Sequence, residues 1–186
     1  LKALARFLWV FLLKAQRLTM LVGICLATTA VFIEVIMRYV FKAPFVGIEE
    51  LAAYSAFWIY FIGGAYGAYE RSHIKAELTH LIFGNSLSYA KARAMTSLVS
   101  FCAAAYAVPW AYEYFVWGIV RREQSSSTFL GSTYPVVIFQ TSILVGLSLM
   151  SFYFFVEFVQ WLDVIFVKKA IPEEMLSSRK EIESWI

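Results

Sequence analysis

The chain has 186 residues, of which 61% are hydrophobic and 16% charged, with a formal net charge of +3. A soluble domain of this length carries about 25% charged residues, and the mean hydropathy here is +0.68. These values exclude an ordinary soluble domain and point to an all-α integral membrane protein embedded in a lipid bilayer, with no nucleic-acid partner expected.

Residues 1–17, LKALARFLWVFLLKAQR, place Lys2, Arg6, Lys14 and Arg17 on one side of a helical wheel and Leu1, Leu4, Leu8, Phe11, Leu12 and Ala15 opposite. A basic face set against an apolar face predicts a helix lying in the membrane interface. The basic residues are spread through the segment, and no small-residue cleavage site follows, which disfavours a signal peptide. The first span is expected over about residues 18–37. It holds Glu34, which pairs with Arg38 at the i, i+4 spacing, and Arg38 sits where a cation favours a helix C-terminus.

Pro44 and Gly47 mark a short turn. Glu49 and Glu50 then open a second span over about residues 48–69, where a helix N-terminus favours negative charge. Arg38, Glu49 and Glu50 are therefore expected to converge at one membrane surface. Their plain role is to complement the helix dipole, and the rival role is contact with another protein. Along the second span, Glu49, Ala52, Ala53, Ala56, Tyr60, Gly63, Gly64 and Gly67 share one side at 100° per residue. Such a small face, with Gly63 and Gly67 at GxxxG spacing, admits close approach of another helix, either within this chain or from a partner.

Between the second and third spans, Ile74, Leu78, Leu81 and Ile82 recur at helical spacing while His73, Lys75, Glu77 and His80 stay polar. This pattern predicts a short amphipathic helix on the membrane surface. His73 is read chiefly as orienting that helix. Gly84-Asn85 ends it, and Ser86 suits an N-cap for the next helix. The third span is expected over about residues 96–118, kinked at Pro109, with Glu113 one turn further on. The serine-rich segment Ile119–Thr133 reads as a polar loop. The fourth span begins at Tyr134-Pro135 and covers about residues 134–157, its apolar pattern continuing to Phe166. Glu157, Trp161 and Asp163 mark its meeting with the interface. The membrane domain thus covers residues 18–166, and residues 167–186 form a charged tail.

Basic residues set the orientation. The N-terminal segment, the loop after the second span and the tail each carry four (Lys2, Arg6, Lys14, Arg17; Arg71, Lys75, Lys91, Arg93; Lys168, Lys169, Arg179, Lys180), against two in each remaining loop. The positive-inside rule then places both termini in the cytoplasm. Cys25 and Cys102 lie in apolar segments and read as buried small hydrophobes. No phosphate loop, nucleophile elbow or zinc signature occurs, and both histidines lie outside the spans, which argues against haem. No cofactor or metal is expected in this chain, nor an enzymatic activity.

The order Arg38, Glu49-Glu50-Leu51, Gly63-Gly64, Arg71 and His73-Ile74-Lys75-Ala76-Glu77-Leu78 resembles the small membrane subunit, or DctQ-type small permease, of tripartite ATP-independent periplasmic (TRAP) transporters. Ala76 and Glu77 stand where that family often has a branched aliphatic residue and an aspartate; glutamate keeps the charge. Tyr134-Pro135 after a serine-rich loop is also similar. The resemblance implies a location in the bacterial inner membrane and two protein partners, a large TRAP membrane subunit and a periplasmic substrate-binding protein. It further implies sodium-coupled uptake of an organic acid, such as a dicarboxylate or sialic acid, with the sodium and substrate sites in the large subunit. Arg38, Glu49, Glu50, Ala52, Ala56, Gly63, Gly67, His73 and Glu77 would be structural or subunit-contact residues. Two alternatives from other classes are a stand-alone dimeric four-helix transporter using Glu34 or Glu113 as a proton site, and a membrane anchor of a redox enzyme.

Overall fold

The first helix, α1, spans Lys2–Tyr39 without a break. Its 38 residues extend for about 57 Å at 1.5 Å per residue, well beyond a hydrocarbon core of about 30 Å. The computed structural model describes residues 2–43, 46–70, 86–129 and 132–168. Residues 1–17 were expected as a separate interfacial element; residues 2–17 instead form the first turns of α1. No proline interrupts residues 2–39, and leucine, alanine, lysine and arginine at the junction are all strong helix formers.

Helix α2 covers Val46–Glu70 and helix α3 covers Ser86–Arg121. The expected amphipathic helix between them, with His73 and Glu77, lies outside the described residues, as does the charged tail beyond Lys168. Helix α3 begins ten residues ahead of the expected span, at Ser86. It runs through Pro109, whose missing N–H leaves one carbonyl of the preceding turn without its helical donor. Among the described residues, three helical segments, Arg6–Tyr39, Ser88–Arg121 and Val137–Phe166, are long and apolar enough to cross a membrane. Helix α2 has 25 residues, about 37 Å of helix, long enough to cross a hydrocarbon core of about 30 Å.

The segment read as a polar loop is partly a hairpin. Strand β1, Gln124–Phe129, pairs antiparallel with strand β2, Ser132–Pro135. Gln124 lies opposite Pro135 and Phe129 opposite Ser132, with an irregularity in register between Gln124 and Thr128. Thr133 Oγ1 donates to Gln124 Oε1 at 2.8 Å. Helix α4, Val137–Asp163, follows at once and ends in a π-helical turn, Val164–Lys168. The long apolar pattern read through Phe166 is therefore one continuous element.

The helices stand in a row in the order α1, α2, α4, α3, each backbone packing chiefly on its neighbour. Glycines set the closest approaches. A Cβ at Gly146 of α4 would lie 2.7 Å from the Phe61 carbonyl oxygen and 2.6 Å from Phe61 Cβ. A Cβ at Gly23 of α1 would lie 2.8 Å from Ile59 Cγ1. Gly118 of α3 lies directly against the Gln140 amide, which is fully buried. Long side chains from α1 reach past α2 to α4: Trp9 meets Tyr69 and Tyr153 edge-on, with ring centroids 5.8 and 5.7 Å away. These rings enclose Ala65 and Ala68, both buried. A second apolar cluster joins α3 to α4 and the π turn through Ala90, Ala94, Trp161 and Val164. Cys25 and Cys102 are free thiols on the outer surface of the row, not buried as expected. The row geometry leaves those faces of the terminal helices α1 and α3 without a neighbour among the described residues.

Candidate functional site

Polar side chains concentrate at the two ends of the row. At the first end, the C-terminal turns of α1 meet the N-terminal turns of α2. Arg38 Nη2 lies 2.6 Å from Glu34 Oε1 and 2.5 Å from Glu49 Oε1. One guanidinium nitrogen therefore bridges an intrahelical and an interhelical carboxylate. The i, i+4 contact follows from helix geometry. The second contact requires the turn between the helices, where Lys42 adopts a positive φ of 52°. Arg38 and Glu49 are about half exposed and Glu34 is more enclosed.

Glu50 follows Glu49 at the same helix end. Adjacent helical residues point about 100° apart, so Glu50 is turned from Glu49 toward Tyr54, which shares a hydrogen bond with Ser125 of β1. Arg38 thus pairs with Glu49 and with Glu34, and Glu50 stands at the same helix end near Tyr54. Tyr54 also stacks on Phe139 of α4 at 5.4 Å.

The small face of α2 is divided between neighbours. Gly63 faces Met20 of α1, with a virtual Cβ 3.6 Å from the sulfur, and Gly64 faces Met150 of α4. Ala52 and Gly67 are half-buried, whereas Ala53, Ala56 and Tyr60 are exposed. An interior helix of the row has two packed sides, so its glycines at that depth meet helices of the same chain. Among the described residues of this face, Glu49, Ala53, Ala56 and Tyr60 are exposed. His73 and Glu77 lie outside the described residues.

At the opposite end, the sequence signals were weaker and the structure adds more. Arg17 Nε donates to the Tyr66 hydroxyl at 2.7 Å, and its guanidinium lies 5.2 Å from the Tyr66 ring centroid. Gln16 Nε2 donates to the Tyr153 hydroxyl at 2.7 Å, joining α1 to α4. Arg93 Nη2 of α3 lies 3.5 Å from Glu157 Oε1 of α4. Trp161 Nε1 donates to the same oxygen at 3.2 Å, and the Arg93 guanidinium lies 5.8 Å from the Trp161 ring. Glu157, expected to mark where α4 meets the interface, is buried in the α3–α4 seam. Charge at this depth is tolerated because it is paired and hydrogen-bonded. Arg93 and Glu157 are too far apart in sequence for a spacing rule to link them. Gln16 sits between Lys14 and Arg17, a polar stretch in which nothing singles it out as the partner of a distant tyrosine.

The geometry describes a scaffold: helix seams held by close glycines, aromatic clusters and a few interhelical polar bonds. No curated protein matches this chain. The family model for tripartite ATP-independent periplasmic transporters, DctQ component, matches residues 27–164. That interval runs from mid-α1 through the start of the π turn and includes the Arg38 bridge, the hairpin and the Arg93–Glu157 pair, so the chain belongs to the DctQ component family of TRAP transporters, a transporter subunit family and not an enzyme family.

Proposed function

We propose that the chain is the small permease subunit that packs against and stabilises the large TRAP membrane subunit during sodium-coupled, binding-protein-dependent uptake of an organic acid. The observation that carries this reading is the row of helices. A single row encloses no path between its helices, and it leaves broad apolar surfaces for another membrane protein. All four helices cross the bacterial inner membrane in this reading, including α2, whose small residues pack against α1 and α4. Along the chain the helices alternate in direction, so α2 and α4, neighbours in the row, run parallel: Tyr54 stacks on Phe139 and Gly64 faces Met150, while Arg38–Glu49 and Arg93–Glu157 join antiparallel pairs. The end with Arg17 and Arg93 faces the cytoplasm with both termini, and the Arg38 bridge and hairpin face the periplasm, in line with the excess of basic residues.

Sodium and substrate are bound by the large subunit, and the hairpin end offers surface to the periplasmic binding protein. The test is affinity purification of this chain from membranes that also contain the large subunit, paired with uptake measured in proteoliposomes. Joint recovery, with uptake only when both subunits and the binding protein are present, is the expected result. Uptake by this chain alone would refute the proposal.

A further inference from the structure

Glu113 sits on the outer face of α3 and is exposed. It has neither a hydrogen bond nor an ion pair among the described residues. Its depth follows from its neighbour Tyr114, which contacts Phe139 of α4, as does Phe57 of α2. Phe57 lies eight residues past Glu49, or about 12 Å along the helix. If the Arg38–Glu49 bridge sits at the membrane surface, Glu113 lies within the hydrocarbon layer. A carboxylate facing lipid there is costly, and intramembrane charges are normally paired or turned toward protein or water.

The surrounding face is aromatic and exposed. Tyr106, Trp110, Glu113, Trp117 and Val120 share an arc of about 80° at 100° per residue. Tyr106 and Trp110 are 71% and 66% exposed, and Val120 is 75% exposed. The cation on this face, Arg121, lies over the Trp117 ring at 4.6 Å, about 12 Å of helix from Glu113. Helix α3 ends the row, so nothing among the described residues covers the stripe.

We infer that this stripe of α3 is the docking face for a helix of the large TRAP subunit, which brings a basic side chain to Glu113. The inference rests on the proposed partnership and specifies where it is made. Lipid tails offer no hydrogen bond to the carboxylate. A second copy of this chain is also a poor occupant. Copies inserted in one orientation pair about an axis along the membrane normal, and a self-complementary interface on this face would set Glu113 against Glu113 at equal depth. A partner of opposite charge satisfies the carboxylate, and the exposed rings of Trp110 and Trp117 supply the broad apolar contact on either side.

The experiment places a photoreactive benzophenone amino acid in turn at Trp110 on α3, Tyr60 on α2 and Phe32 on α1, in cells that also make the large subunit. The expected result is a cross-link to the large subunit from position 110 and none from position 32. In parallel, Glu113→Lys is expected to lower recovery of the large subunit about three- to tenfold, the range for losing one interhelical polar contact in a membrane, while Glu113→Gln lowers it less. If the large subunit co-purifies but cross-links from position 60 or 32 and not from 110, the docking face is overturned and the partnership stands. Unchanged recovery with Glu113→Lys overturns the charge pairing. If the large subunit is not recovered with the wild-type chain at all, the proposed function fails, and the inference with it.

Discussion

Replacing Gly146 with alanine tests which glycine holds the helix row together. A Cβ at Gly146 would meet the carbonyl oxygen and Cβ of Phe61 at 2.7 and 2.6 Å. Ordinary contact begins near 3.4 Å, so α2 and α4 must separate by about 0.7 Å or the side chains must leave their rotamers, a change that costs about 1–3 kcal/mol in a packed core. The obstacle is partly backbone, which cannot turn aside as a side chain can. Gly63, the glycine that the spacing pattern singles out, is different: its virtual Cβ meets only the Met20 sulfur, at 3.6 Å. Gly63→Ala should therefore cost nothing in packing and gain up to about 1 kcal/mol from helix propensity where the unfolded reference is not helical. The assay is thermal or denaturant unfolding of the purified protein in detergent, with the two variants measured side by side. Gly146→Ala should lower stability by about 1–3 kcal/mol, and Gly146→Val by more. If Gly63→Ala proves the more damaging change, the assignment of Gly146 as the closest α2–α4 contact is wrong.

Other changes probe the polar contacts and the helix ends. Arg93→Ala should destabilise the α3–α4 seam by up to about 3 kcal/mol, because Glu157 then stays buried without its cation; unfolding midpoints for Arg93→Ala, Glu157→Gln and the double variant should show that the two single effects do not add. Arg38→Ala should cost no more than about 1 kcal/mol, since Arg38 and Glu49 are about half exposed and their attraction is screened by solvent, and a large loss in the same unfolding assay would contradict that. Arg122 holds a positive φ of 51° just past α3, with its N–H donating to the Gly118 carbonyl at 3.0 Å. Arg122→Gly should relieve that backbone strain and raise stability by about 1 kcal/mol, readable as a higher unfolding midpoint.

Membrane character and most of the helices were legible from composition and periodicity. Apolar runs cannot sit in water, and backbone polar groups in a bilayer must bond within their own helix. The pairing of Glu34 with Arg38 was equally legible, because it depends only on helical spacing. The order of motifs from Arg38 to Glu77 carried the family resemblance that the match over residues 27–164 establishes. Tertiary structure decided what local patterns do not encode. It ran residues 2–39 as one helix, since no residue there stops one. It turned part of a serine-rich loop into a hairpin against α2. It set the row α1, α2, α4, α3, and through that order gave Gly63 and Gly64 to neighbours in the same chain, buried Glu157 against Arg93 and left Glu113 facing outward. Helical periodicity says which residues share a face. Which face meets protein depends on where each helix stands among the others, a long-range fact that appears only when the seams close.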